Sequence, residues 1–233
     1  MEREIEPELM ETKEQVISYA NADFSVGENL FIAFINDYLK IHKIKLKSGD
    51  LIVDLGCGPG NISEKISLNW PFVKVLGIDG SKEMINKAKI KRDKYKNKEI
   101  FNNLNYLVED VKKINLRNIS INSKIKLLVS NSLIHHITHI DEFLNSICKL
   151  STKHTINFHK DLKRPLNKAF ALELKSKCSK KYNKILTNDY FASLKASYRP
   201  NELEERILKK KLSGLKVIEE GDDYLIVYGK VYN

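Results

Sequence analysis

The chain has 233 residues, 42% of them apolar, with 10 Gly and 5 Pro, so it can bury one substantial core and is not of a disordered composition. A formal charge of +10 admits an RNA partner. The lysines, however, are spread over many segments of a chain crowded with Lys, Asn and Ile, and RNA is the less favoured reading. No run approaches about 18 uncharged apolar residues, and the acidic start M-E-R-E-I-E-P-E-L-M has no apolar signal core, so the expectation is a cytoplasmic chain with no membrane span.

The chain opens with a leader in which residues 10–19 can form a helix, Val16, Ile17 and Ala20 contributing to one face. Y-A-N-A-D-F then places Tyr19, Asp23 and Phe24 close together. Residues 30–44 carry Leu30, Phe31, Phe34, Ile35, Tyr38 and Leu39 at three- and four-residue spacings, the pattern of a helix packed on a sheet. Leu51 to Leu55 is an apolar run broken only by Asp54, as a buried parallel strand reads. Gly56, Gly58 and Gly60 follow, and residues 61–70 return to a helical pattern that Pro71 stops. Strand, glycine turn and helix start make a ligand site at a strand's carboxyl end. A tight turn with no ligand would read the same.

Residues 74–79, K-V-L-G-I-D, form a second apolar strand ending in a carboxylate, Asp79, 19 residues after Gly60. There it is placed to accept from ribose hydroxyls, which suits a dinucleotide or another adenosine ligand. Ser81 can cap a helix over residues 82–98, with Met84, Ile85 and Ala88 on its buried side. Residues 104–108 read as the third strand, with Glu109, Asp110 and Val111 at its end, and residues 115–122 as a loop with a helical turn. The fourth strand, 125–131, runs into S-L-I-H-H-I, so Asn131, Ser132, His135 and His136 fall near the sheet's switch point. Adjacent side chains diverge and no Cys, Asp or Glu spacing completes a ligand set, so no metal is expected.

A helix follows over residues 141–150, then a fifth strand over 154–159, then K-D-L-K-R-P, where Asp161 and Arg164 read as a charged pair beside the cleft. Residues 168–195 leave the strand–helix rhythm for one or two helices. Tyr190, Phe191, Ser193, Tyr198 and Arg199 there could line a pocket or merely pack. A helix after Pro200 ends by Gly214, and residues 215–220 and 224–231 close the chain as two strands. Cys57, Cys148 and Cys178 have no paired spacing and read as reduced; Cys57 reads as a small loop residue rather than a nucleophile.

The stretch D-L-G-C-G-P-G resembles the first motif of class I methyltransferases that use S-adenosylmethionine, and G-I-D-G-S-K-E-M-I resembles their second-strand region. The resemblance covers nearly the whole chain. Its S-N-S-L-x-H-H and D-L-x-R-P elements are similar to an unassigned, small-molecule-like subfamily, and the N/D-P-P-Y/F/W of RNA and DNA amino-methylating enzymes is lacking. The resemblance implies an α/β fold: one Rossmann-like seven-stranded sheet of order 3-2-1-4-5-7-6 with strand 7 antiparallel. A single domain would fill residues 1–233, with a helical leader over 1–48 and a helical cap inserted at 165–213. S-adenosyl-L-methionine would be the cofactor. Asp54 would order the loop and the methionine end, Asp79 would hold the ribose and Asp110 the adenine amine. Gly56, Cys57, Gly58, Gly60, Gly80, Ser81, Met84, Val111 and Asn131 would complete the cofactor site. At the acceptor, His135 or His136 would remove a weakly acidic proton, or Tyr19 or Tyr198 would orient the acceptor instead. The acceptor would be a small molecule; an RNA methyltransferase and a non-catalytic cofactor-binding protein are the alternatives.

Overall fold

The computed structural model describes residues 1–6, 12–94, 100–114 and 124–232. The expected loop at 115–122 and part of the leader lie outside them. Seven strands form one sheet of order β3-β2-β1-β4-β5-β7-β6. These are β1 Leu51–Leu55, β2 Lys74–Asp79, β3 Leu104–Val108, β4 Ile125–Asn131, β5 Ile156–Leu162, β6 Leu215–Glu220 and β7 Tyr224–Gly229. The first five pair in parallel, while β7 runs antiparallel between β5 and β6. This is the arrangement expected from the sequence. It follows from strands whose apolar residues are buried on both faces, as in β1, where Val53 and Leu55 enter one core cluster and Ile52 the other.

Helices α2 Ser25–Ile41, α3 Asn61–Asn69 and α4 Lys82–Asp93 precede or link the first strands. Phe31, Ile35, Ile66, Ile85 and Ala88 from these helices pack with Ile52, Leu127 and Phe158 of the sheet. The opposite cluster joins Phe143 and Ile147 of α5 Ile140–Leu150 and Leu203 and Ile207 of α8 Pro200–Lys209 to Val53, Leu128 and Val227. Two further helices, α6 Lys168–Ser179 and α7 Lys184–Ala196, pack on each other between β5 and α8. The leader helix, α1 Lys13–Asn21, contacts α7.

Several bounds move from the sequence reading. Helix α1 starts at Thr12, whose hydroxyl accepts from the Gln15 N–H, and it buries Val16 but leaves Ile17 exposed. Helix α2 starts five residues earlier than the apolar spacing suggests, and Leu30 faces solvent. Helix α4 ends at Asp93, and residues 95–99 lie outside the described residues. The fifth strand is shifted to Ile156–Leu162, because Lys160, Asp161 and Leu162 pair with Ile226, Leu225 and Tyr224 of β7. Asp161 is therefore a buried strand residue, not part of a loop.

Candidate active site

The carboxyl ends of the parallel strands open into a cavity of about 690 Å³. The turn after β1 forms its floor. Asp54 is 1% exposed and accepts from the Ser63 hydroxyl at 2.6 Å. Burial pushes its carboxyl up to about 7, with Asp79 adding to the shift and Ser63 opposing it. Asp79 at the tip of β2 ties the turn down: one oxygen accepts from the Gly58 N–H and the other from the Ser81 N–H, both at 2.8 Å. Burial raises its carboxyl against these two bonds. Gly58 has a φ of 53°, and the place its Cβ would take is open space, so the bare backbone faces the cavity. Gly60 has a φ of 86° and caps α3. Its missing Cβ would lie 2.2 Å from the Tyr106 hydroxyl. It is needed for packing and does not line the cavity.

Of the other residues expected at the cofactor, Gly56, Cys57, Gly80, Ser81, Met84, Asp110, Val111 and Asn131 all line this cavity. Asp110 accepts from the Lys112 N–H at 2.9 Å, which fixes one carboxylate oxygen. The Ser81 hydroxyl accepts from the Met84 N–H and so starts α4 beside Asp79. Burial holds the Cys57 thiol well above its ordinary value, in keeping with a structural role.

The far side of the cavity is built from the leader, the switch-point turn and the cap. Tyr19 and Phe24 stack with ring centroids 4.9 Å apart, and Phe24 meets Tyr182 of the α6–α7 turn at 5.3 Å. Burial raises the Tyr19 phenol well above its ordinary value, and Glu28 pushes the same way. Tyr190 donates to Asp223 at 2.6 Å. Lys160, 3% exposed, reaches Glu220 at 2.5 Å and lies over the Tyr224 ring. His135 and His136 sit on a 3₁₀ turn, Ile134–His136, with ring centroids 4.2 Å apart, so the two rings converge rather than diverge. Behind His135, its Nδ1 is hydrogen-bonded to Asp161. Burial alone would lower the His135 imidazole, but Asp161 and Glu6 outweigh it and hold it above the ordinary value.

Three expected pocket residues stand elsewhere. The Tyr198 hydroxyl donates to the Ile137 and Thr138 carbonyls, Arg199 donates to the Met1 and Leu166 carbonyls, and Phe191 lies against Lys175 and Lys195. Asp161 and Arg164 do not pair: Arg164 instead meets Glu202 and the Ser197 carbonyl. Sequence reasoning missed Glu6, Glu28, Lys160, Asp189 and Asp223. Their signal is faint, since a charged residue on a surface-like stretch shows nothing of what folds over it.

The sequence profile of the family described as "Methyltransferase domain" matches residues 46–213. The chain belongs to that family. Curated relatives of this methyltransferase match over short stretches. Trans-aconitate 2-methyltransferase of Streptomyces avermitilis is 51% identical over 37 residues, 16% of this chain and 14% of that protein. The fold is shared along nearly the whole length with the plantazolicin methyltransferase BpumL, solved with a pentazolic desmethylPZN analog and SAH. There the TM-score is 0.69 at 16% identity, over 94% of this chain and 90% of that one. A SAM-dependent methyltransferase from Aquifex aeolicus aligns with a TM-score of 0.55 at 19% identity, over 82% of this chain and 87% of that one. The family's methyl donor is S-adenosylmethionine, and the site fits it. A buried carboxylate, an open glycine backbone and acids at the tips of β2 and β3 line one cavity. No helix among the described residues is long and apolar enough to cross a membrane.

Proposed function

We propose that this methyltransferase transfers the methyl group of S-adenosylmethionine to a small-molecule acceptor held between the sheet's switch point and the helical cap. One observation carries the reading: a single cavity of about 690 Å³ is lined both by the glycine turn and by α6 and α7, which suits a cofactor with a small acceptor beside it. The names of two similar proteins, the trans-aconitate and plantazolicin methyltransferases, agree with a discrete acceptor.

S-adenosylmethionine supplies a methyl group already activated on a sulfonium sulfur. The chain's task is to bind, orient and exclude water. Asp79 offers its remaining lone pairs to ribose hydroxyls while holding Gly58 and Ser81 in place. Asp110 accepts from the adenine amine, and Met84 and Val111 enclose the ring. The Gly56–Gly58 backbone, with Asp54 beneath, meets the amino and carboxylate ends of the methionine part, and Asn131 approaches from β4. Tyr19 orients the acceptor, and His135 and His136 stand at its reacting atom, as bases toward its proton where no metal ion occupies them.

The test supplies cell extract and total RNA separately with isotopically labelled S-adenosylmethionine. The expected product is labelled, resistant to ribonuclease and smaller than about 1 kDa. It should be lost in Tyr19→Phe or His135→Ala while cofactor binding survives. Label confined to RNA would overturn the acceptor class. Binding of S-adenosylhomocysteine with no transfer to any fraction would favour a non-catalytic role.

A further inference from the structure

We propose that Glu6, His135 and His136 form a binding site for a divalent transition-metal ion of the zinc class at the acceptor end of the cavity. The three ligand atoms lie within 4.8 Å of one another. One oxygen of Glu6 stands 3.3 Å from His136 Nδ1 and 3.5 Å from His135 Nε2. Bonds of about 2.0–2.1 Å to a tetrahedral ion separate neighbouring donors by about 3.3–3.4 Å, so these spacings need little adjustment.

The surroundings fix the donors as a metal site fixes them. Asp161 accepts from the Ile134 and Leu162 N–H groups, which holds its carboxylate in place against His135 Nδ1. Asp161 thereby engages His135 through Nδ1, which leaves Nε2 as the ring atom that faces Glu6. A carboxylate behind a ligating histidine is the usual support of such a site. Glu6 is held from its other side by Ser193 of α7, whose hydroxyl lies 3.0 and 3.3 Å from its two oxygens. The segment that delivers it is fastened too. Arg3 donates to the carbonyls of Ala196, Thr138 and Ile137, and Glu4 N–H donates to Lys195.

A ring nitrogen and a carboxylate oxygen thus face each other at short range, a place that a cation fills. A proton on Nε2 serves without metal, and a metal ion can take its place, two imidazoles and one carboxylate being a donor set that zinc and iron take. Both histidines line the cavity, so an ion that they held would be reachable from it. An acceptor oxygen or sulfur bound there would give up its proton to water as its anion forms on the ion, leaving it ready for the methyl group. This use rests on the proposed function, while the site itself does not.

The test uses the full chain with any affinity tag removed, without cofactor or acceptor. Zn²⁺ is titrated against a chromophoric chelator, and Co²⁺ serves as a spectroscopic probe. One equivalent is expected to bind, with visible Co²⁺ bands of a four- or five-coordinate site. Glu6→Gln and His136→Ala should each weaken binding about tenfold or more, and Asp161→Asn should do so through His135. In the same proteins the circular dichroism should be unchanged, and the surface control His154→Ala should bind as wild type does. Absence of stoichiometric binding by wild type, or unchanged affinity in folded Glu6→Gln and His136→Ala proteins, overturns the proposal. Glu6 lies outside the sheet, so Glu6→Gln remains informative even if a histidine variant fails to fold. Failure of methyl transfer alone leaves this measurement untouched.

Discussion

Replacing Asp79 removes two acceptors at once, because its oxygens hold the N–H groups of Gly58 and Ser81. Asp79→Ala is therefore expected to loosen the glycine turn as well as lose ribose contacts. Hydrogen bonds to a charged group are worth roughly 1.5–3 kcal/mol, so affinity for S-adenosylhomocysteine should fall by roughly ten- to a hundredfold. Calorimetry on the folded variant checks this, and unchanged affinity would remove Asp79 from the site. Asp54 makes a different demand. Its carboxyl is raised to about 7 by burial, so the folded chain holds that proton more tightly than the unfolded chain does. The sign follows: its contribution to stability is greatest at low pH, declines between about pH 4 and 7, and is flat above. Asp54→Asn removes this titration. Above pH 7 the ligand-free variant should be more stable than wild type by on the order of 1–3 kcal/mol, yet bind S-adenosylhomocysteine more weakly. Thermal melts across pH, read as the difference between the two proteins, test it; parallel curves would mean that Asp54 is not ionised at a cost. Both carboxylates were legible in the sequence because each ends an apolar strand and meets a glycine or a cap. The convergence of His135 and His136 was not, since only the 3₁₀ turn brings neighbouring rings to one side.

The N-terminal segment is an element without regular structure, yet it joins three parts of the chain. Arg3 donates to carbonyls from the end of α7 and from the turn after β4, and its guanidinium lies 3.9 Å from the Tyr198 ring centroid. Arg3→Ala should cost about 1–3 kcal/mol, lowering the melting temperature by several degrees. It should also raise KM for the acceptor more than it weakens cofactor binding, because Glu6 hangs from the same segment beside the histidines. Equal melting temperature and unchanged KM would make the segment ornamental. Neither role was readable from M-E-R-E-I-E, which carries no apolar period and whose partners lie more than 130 residues away. The fifth strand misled for a related reason. Lys160 and Asp161 look like loop charges, but β7 pairs with them from the chain's far end, and their side chains meet Glu220 and His135. Elements set by local period or by a cap, such as β1 and α4, were legible; those set by a distant partner were not.

At the scale of the whole molecule, stability is divided unevenly. Two large clusters clamp the sheet, one on each face, and both include β1 and β4. Among the described residues, a small cluster of Leu162, Leu174 and Leu194, edged by Phe170, Tyr190 and Tyr224, lies beneath α6 and α7. Since apolar burial sets most of the free energy of opening, the two cap helices should open without the sheet. Hydrogen exchange read by mass spectrometry should show α6 and α7 amides exchanging well before those of β1, β4 and β5, which wait for global unfolding. S-adenosylhomocysteine at about a hundred times its Kd should add about 2.7 kcal/mol to the global transition. It should therefore slow the sheet and the glycine turn. The cap should slow less, because the cofactor's expected contacts lie on the sheet side and α6 and α7 line the end of the cavity proposed for the acceptor. A ligand that fills the acceptor end should then protect α6 and α7 in their turn. If α6 and α7 exchange as slowly as β4 in the ligand-free protein, the cap is a fixed wall. The acceptor must then enter without movement of α6 and α7.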